Sequence, residues 1–600
     1  VTAPLLDIRV NFDRLGISRL ANDGFETDTA GWSVAAGIQS LATSITRTVS
    51  APYMGAAVGR LVTTATSGSG AKFVMASTFT SGRTYRFRVY LKSISGTTSA
   101  LIRIGSAGTV GDRATSAVTL TTSWAPYTVD FTPTGNRSDI EVDITNNAAS
   151  VMTADIDDAE VYDLTDDLTT DADALSTSSG ANFEGGVAAG QATLTLRNDT
   201  NQWTDAAAPY NLQLGLTVYI RATYLGIPYG VFYGTVKRVT PDITTRDVSL
   251  FCDDPVAGWD AFNEINIAAS MTRSISAFRG AILDAIGEPA VRRSLTTNDY
   301  EADNPETGAD QSSASGLLAA LDQSTRSLGF IRYDPSPSVL FVYVTKTDYD
   351  LLTQASSGTI DDTITGATVD FLDTDVITMQ RVDYSLRVSD PPATVWTSDE
   401  VPISLAAGAT RTVWASFTDA VIGAALVSTS TGSPTITPTF FDQAAKIVIT
   451  AGAAATVTAL SVTGTAQRAV PASATYTGSS TLGTFVGADT VRFVSSPTIA
   501  ASLARRIVER HDGTIPRTSF TLTNIFPAAV ARLLGDSVAV NIRRSRAAAY
   551  TGIVNRIDQT FSLGGAQWDT TIALEPRLVA QSAYFTLDTS ALDGAAVLAT

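Results

Sequence analysis

Along most of the 600 residues, apolar and polar side chains alternate singly, in short runs separated by clusters of Gly, Thr, Ser and Asn. A period of two is the mark of strands with one buried face, so the pattern predicts a mainly β, multidomain chain of sandwiches or barrels. In "TYRFRVYLKS", Tyr85, Phe87, Val89 and Leu91 fall on one face, and Arg86, Arg88, Tyr90 and Lys92 on the other. Helical spacing is rarer. It is found in "SISAFRGAILDAIGEP", where Phe278, Ile282, Leu283 and Ile286 form a stripe that Pro289 stops. It recurs in "SASGLLAALDQSTRSLG", with Leu317, Leu318 and Leu321 on one side and Gly329 as the expected end. A third helix is expected in "SPTIAASLARRIVERHDG", from Ser496-Pro497 to the terminal Arg510, His511 and Gly513.

One pattern occurs twice. "LGLTVYIRATYLGIPYGVFYGTVKRV" (214–239) and "LGDSVAVNIRRSRAAAYTGIVNRI" (534–557) share a plan. Each has Leu-Gly, two residues, an alternating Val/Ile strand, a loop, and a return through Gly into Arg-Val or Arg-Ile. The repetition predicts two similar barrels, with Leu214-Gly215 and Leu534-Gly535 opening matching strands and Gly234 and Gly552 at matching bends. Since single cores rarely exceed about 250–300 residues, several domains are expected in any case.

The net charge of −18 argues against a nucleic-acid binder, which needs a basic face for phosphates. No run approaches 18 apolar residues, so no transmembrane segment is expected. The opening "VTAPLLDIRVNFDR" shows no basic leader followed by an apolar core, so no secretory signal is expected there.

Catalytic chemistry is poorly supplied, and no enzyme is expected. With one histidine (His511) and one cysteine (Cys252), neither a disulfide nor a His/Cys zinc site can form within the chain. His511 reads as a last-turn helix residue and Cys252, beside Phe251, as a small buried apolar group. The acidic stretches "SLFCDDP" and "NDYEADNPE" could offer the facing carboxylates a glycosidase needs, but such pairs in turns are usually solvated. The neighbourhood of Asp303 and Asn304 lacks EF-hand spacing.

Two resemblances follow from these segments. Residues 20–163 run from "ANDGFETDTAGWSV" to "ADIDDAEVYD", with Asn22 to Glu26, Trp32, the Tyr85-Phe87-Val89 strand, Trp124 and Tyr127 between. This unit resembles the jelly-roll carbohydrate-binding modules of glycoside hydrolases. The resemblance implies core positions for Trp32 and Trp124, and a structural Ca2+ at Glu26 and Asp157. Alternatively, those two carboxylates satisfy local backbone donors. Arg86, Arg88 and Tyr90 are the candidate glycan contacts, provided the charged face of their strand is open; the alternative is an ordinary solvated face.

"GQATLTLRNDTNQW", the two repeated hairpins, "RDVSLFCDD" and "WDTTIALEP" resemble, in order and spacing, the tail hub (baseplate hub or minor tail) proteins of long-tailed bacteriophages. The expected organisation is a first barrel strand at 1–19 and an inserted jelly roll at 20–163. Barrel 1 follows at 164–270, an α+β domain at 271–395 and a β-rich insertion at 396–470. A helix with barrel 2 occupies 471–580, and a C-terminal extension 581–600.

The resemblance implies a homotrimeric, pseudo-sixfold ring at the virion tail tip. Its partners would be tail-tube, tape measure, and tip or fibre proteins, with host cell-wall carbohydrate met by the jelly roll. No cofactor is required by this reading. A secreted or surface glycan-binding adhesin and a cell-wall glycoside hydrolase are the competing readings.

Overall fold

The structure is a computed structural model. It describes residues 5–576 except 12–17, 21, 23, 26–27, 35–43, 50, 107–111, 183–185, 205–211, 263–264, 266, 268–272, 297–300, 303–312, 326, 338, 362–365, 372–375, 479–483, 512–515, 525–532, 542–549 and 563–566. The C-terminal extension expected at 581–600 lies outside the described residues. The chain is mainly β and multidomain.

Between Trp32 and Asp163, two five-stranded sheets face each other. One runs in the order Trp32–Val34, Gly70–Val74, Ile140–Asn146, Ser99–Ser106, Arg113–Thr119. The other runs Ser44–Thr48, Val58–Val62, Met152–Asp163, Tyr85–Gly96, Ala125–Phe131. Tyr85, Phe87, Val89 and Leu91 are fully buried between the sheets with Ile102, Val142 and Ile156, as strand alternation requires.

Strands on both sides of this unit in the sequence form one thirteen-stranded sheet. Leu5–Asn11 pairs antiparallel with Thr217–Tyr224, although the whole jelly roll lies between them in sequence. The order continues through Ile227–Asp242, Asp247–Asp253, Gln191–Arg197 and Ala172–Asn182. Ala172–Asn182 then pairs with Tyr550–Ser562, followed by Gln567–Pro576, Pro516–Thr523 and Gly366–Phe371. The two repeats therefore share a continuous sheet, and Phe561 and Trp568 of the second pack into the core of the first.

The repeats match atom for atom at their entry. Gly215 N–H donates to Val236 O at 2.8 Å, and Val236 N–H to Leu216 O at 2.8 Å. Gly535 N–H donates to Val554 O at 2.8 Å, and Val554 N–H to Asp536 O at 2.9 Å. Gly215 and Gly535 have φ of 81° and 73°, in the left-handed region that disfavours a Cβ. Both returning strands shift register just beyond, at Val236/Arg238 and at Val554/Arg556.

Gly234 and Gly552 pair opposite Val218 and Val538, but neither is a bend. A Cβ on Gly234 would meet Asp253 O, and one on Gly552 the Leu574 side chain, so close approach of the next strand explains the residue type. The repeats also diverge at one edge. Leu5–Asn11 is antiparallel to its neighbour, whereas Thr359–Asp361 runs parallel to Ser537–Asn541.

Between the repeats, helices Ile275–Ala285 and Ala314–Thr325 pack on a small sheet containing the hairpin Leu328–Tyr333/Phe341–Lys346. The second helix stops before Gly329, which instead lies in the first hairpin strand against Asp322 and Tyr343. Helix Pro497–His511 covers Met379–Ser389 and the 23-residue strand Ala455–Thr477. Those two strands pair from Met379–Thr477 to Ser389–Gln467, so this sheet crosses both expected limits of the insertion, 396 and 470.

Candidate functional site

The strand Tyr85–Gly96 carries the candidate glycan contacts, and its charged face is not open. Where the jelly roll meets the thirteen-stranded sheet, three arginines and three carboxylates interlock. Arg9 and Asp7 come from the first strand, Arg221 from Thr217–Tyr224, and Arg88, Asp158 and Glu160 from the jelly roll. Glu160 accepts from Arg9 at 2.7 and 3.1 Å, from Arg221 at 3.2 Å, and also pairs with Arg88. Asp7 accepts from Arg9 at 2.7 and 2.9 Å, from Arg88 at 3.0 Å and from Arg221 at 3.1 Å.

Asp158 takes Arg221 at 3.1 Å, and the Pro335 carbonyl takes a further Arg221 bond at 3.2 Å. Arg9 lies 3.7 Å from the Tyr162 ring centroid. The cluster balances three cations against three anions, which is what permits its burial. Burial pushes Asp7 up, but the Arg9 and Arg88 guanidiniums outweigh it and hold its carboxyl below the usual range.

This corrects the expected site. Arg88 is committed to Asp7 and Glu160 and is unavailable to a sugar. Tyr90 is buried and stacks on Tyr53 with ring centroids 3.8 Å apart. Arg86 remains near the surface, but it is held by Asp130 at 2.7 and 2.8 Å. Trp32 is core, whereas Trp124 is partly exposed beside Tyr53 and Lys92, with its indole N–H donating to Ala51 O at 3.1 Å.

Of the expected calcium ligands, Glu26 lies outside the described residues. Asp157 is fully buried, and its oxygens accept the backbone N–H groups of Tyr53, Met54 and Asp158 at 2.8–2.9 Å. Among the described residues, which do not include Glu26, no group of three or more His, Cys, Asp or Glu could hold a metal. Asp155 and Asp163 are likewise engaged, by Arg60 at 2.7 Å and Arg83 at 2.9 Å.

The other candidates have structural employment. Asp254 caps helix Pro255–Trp259, accepting from Val256 N–H at 3.0 Å and Gly190 N–H at 2.8 Å, and burial pushes it up to about 7. Cys252 is fully buried, and burial pushes its thiol up to about 12. His511 is buried at the end of its helix, and its carbonyl accepts from Ile377 N–H at 2.9 Å. In the acidic stretch after Asn298, residues 303–312 are outside the described set.

The opposite sheet of the jelly roll offers a different surface. On its central strand, Glu141, Asp143 and Thr145 share one face, two residues apart. Lys72 reaches Glu141 at 3.1 Å, Arg113 pairs with Glu141 and lies 3.8 Å from Asp143, and Arg103 donates to Thr145 at 3.3 Å. Burial and the adjacent Glu141 charge push Asp143 up to about 6. Glu141, Asp143 and Thr145 are themselves buried, so the partly exposed groups on this face are the donors Lys72, Arg103 and Arg113. The sequence flagged the strand carrying Tyr85 and missed this one, whose "IEVDITN" alternation reads as ordinary solvated polarity.

Residues 19–150 match the carbohydrate binding domain family. No curated protein sequence matches the chain. Among solved structures, the 43 kDa tail protein of prophage MuSo2 from Shewanella oneidensis is 11% identical, with a TM-score of 0.40; the match covers 68% of this chain and 95% of that one. A tail protein from Neisseria meningitidis is 9% identical, with a TM-score of 0.39, over 68% of this chain and 92% of that one. A xylan-binding domain from Paenibacillus barcinonensis is 14% identical, with a TM-score of 0.21, over 25% of this chain and 96% of that domain. The chain is thus similar to phage tail proteins and, over a shorter stretch, to carbohydrate-binding modules. Among the described residues, no helix is long and apolar enough to cross a membrane.

Proposed function

We propose that the chain is a non-enzymatic structural protein of a phage tail, the hub at the tail tip. Three copies form a ring that joins a sixfold tail to a threefold tip. The observation that carries this reading is the duplicated hairpin, with its matched hydrogen bonds and bulges in one continuous sheet. A subunit with two matching repeats presents six of them when closed cyclic symmetry places three copies in a ring. Tail-tube and tape measure proteins are then the partners on one side, and tip or fibre proteins on the other.

The jelly roll is the host-contacting part, and the match of residues 19–150 to carbohydrate binding domains supports a glycan ligand. Its contact face in this reading is the sheet bearing Lys72, Arg103, Arg113, Glu141 and Asp143, because the opposite face is occupied by the hub. The test has two arms. Mass measurement and image symmetry of the full chain, alone and with tail-tube proteins, should give a trimer. A persistent monomer sinks the hub and leaves the adhesin. Sedimentation of the full chain with purified host envelope should weaken in Arg103→Ala/Arg113→Ala and persist in Arg86→Ala; the reverse order would return the site to the strand Tyr85–Gly96.

A further inference from the structure

The segment between the barrels holds an exposed surface that the hub reading does not use. Thr410–Ser416, Ala444–Thr450 and Thr435–Phe440 form a three-stranded antiparallel sheet. Its inner face buries Val413, Ala415, Ile447 and Ile449 in a core of their own. Its outer face is set out in rows by the strand register. Thr410, Thr450 and Thr435 form one row, Thr412, Val448 and Thr437 the next, and Trp414, Lys446 and Thr439 the third.

Trp414 is 55% exposed on this face, the one tryptophan among the exposed large apolar residues described. Its ring is nevertheless held. Phe441 stacks against it with centroids 5.9 Å apart and planes at 20°, and the Lys446 ammonium lies 6.0 Å from its centroid. Threonine by itself is unremarkable here, because β-branched residues suit the solvent face of a strand. A fixed, open indole at the end of hydroxyl-bearing rows is what the fold does not require.

We infer that this face is a second saccharide-binding surface, separate from the jelly roll, that takes an uncharged polysaccharide. The indole offers a flat apolar face to the C–H side of a sugar ring, and the threonine hydroxyls can both donate to and accept from ring hydroxyls. Charge selects the occupant. The rows contain no carboxylate, and their one cation already sits over the Trp414 ring. A chain of net charge −18 repels polyanions, so an uncharged glycan complements the face and an anionic wall polymer does not. Individual sites of this kind are weak, and several copies on one particle would raise the effective concentration after first contact.

The test uses the full chain carrying Arg103→Ala/Arg113→Ala to silence the jelly-roll face. Affinity electrophoresis through gels containing xylan, galactomannan or dextran, with lipoteichoic acid as the anionic comparison, reads binding directly. Retardation by at least one neutral polymer is expected, with affinity reduced roughly tenfold by Trp414→Ala, reduced by Thr412→Val/Thr437→Val, and largely kept by Trp414→Tyr. Circular dichroism confirms that the variants fold. Failure to bind any neutral polymer, equal binding by Trp414→Ala, or a preference for lipoteichoic acid would each overturn the inference. None of these outcomes bears on ring assembly, so the hub reading stands or falls separately.

Discussion

Neutralising Glu160 should release the jelly roll from the thirteen-stranded sheet. Three guanidiniums converge on this one carboxylate, two of them from the paired strands Leu5–Asn11 and Thr217–Tyr224 and one from the jelly roll itself. In Glu160→Gln the shape is kept and one negative charge is lost, leaving three buried cations facing two anions. Removing one partner of a buried ion pair costs about 3–5 kcal/mol, because the remaining charge stays desolvated. Asp7 and Arg88 keep 14% and 17% of their side-chain surface, so some water reaches that edge and the lower end of the range applies.

The assay is native-state amide exchange of the full chain, read at Leu5–Asn11 and Met152–Asp163, the strands that carry the cluster. Exchange there should quicken by roughly two orders of magnitude, while the inner jelly-roll strand Ile140–Asn146 changes little. Arg86→Ala is the control. Its pair with Asp130 is 33% and 43% exposed, so its loss should be worth less than about 1 kcal/mol. Exchange in Glu160→Gln within tenfold of the parent chain would refute the reasoning, since it would mean that water already solvates the cluster. Acid should mimic the variant. Asp7 has a lowered pKa in the folded chain, so its stabilisation is present above the ordinary carboxylate range and is lost as pH falls through the folded value.

Asp143 should give the opposite slope. Its pKa is raised to about 6, so the jelly roll loses stability as pH rises from the ordinary Asp value through about 6; melting curves of Asp143→Asn should lack that slope, and an unchanged slope would assign it elsewhere. The two turn glycines should differ when changed to alanine. Gly215→Ala meets open space and should cost only the left-handed penalty of about 1 kcal/mol, whereas Gly535→Ala also drives a Cβ against the Phe330 ring and should cost clearly more by denaturant titration. Asp157→Ala should lower the melting temperature by freeing the backbone of Tyr53 and Met54, and chelator added to the unaltered chain should not; a chelator effect would show that the site holds calcium.

The sequence was most informative where the period of the pattern alone decides structure. The inward set Tyr85, Phe87, Val89 and Leu91 follows from strand alternation, and the two Leu-Gly entries follow from repetition. Local pattern could not reveal the merger of the repeats, because the pairing of Ala172–Asn182 with Tyr550–Ser562 joins segments far apart in the chain, Ser179 and Ile557 being 378 positions apart. Nor could it tell that helix Pro497–His511 lies on Met379–Ser389 and the end of Ala455–Thr477, strands at the margins of the expected insertion.

The site failed for a more specific reason. A polar residue on the outward face of a strand reads as solvated, and alternation holds no information about what covers that face. Asp7 and Arg9 alternate on one strand, Arg88 lies on the outward face of another, and Asp158 and Glu160 straddle a bulge at which Asp158 takes φ of 42°. Each set looks like surface polarity, yet together they form the contact that orients the jelly roll. A pair of like-facing charges of opposite sign on the very strand that must pair in the barrel was the available clue, since a surface strand gains little from it. The same cluster explains how an insertion can leave its host domain intact. The first strand enters the barrel and the chain leaves it for the jelly roll. The returning strand Met152–Asp163 then brings Glu160 back against Arg9, 151 positions later, closing the excursion with charge rather than with apolar surface.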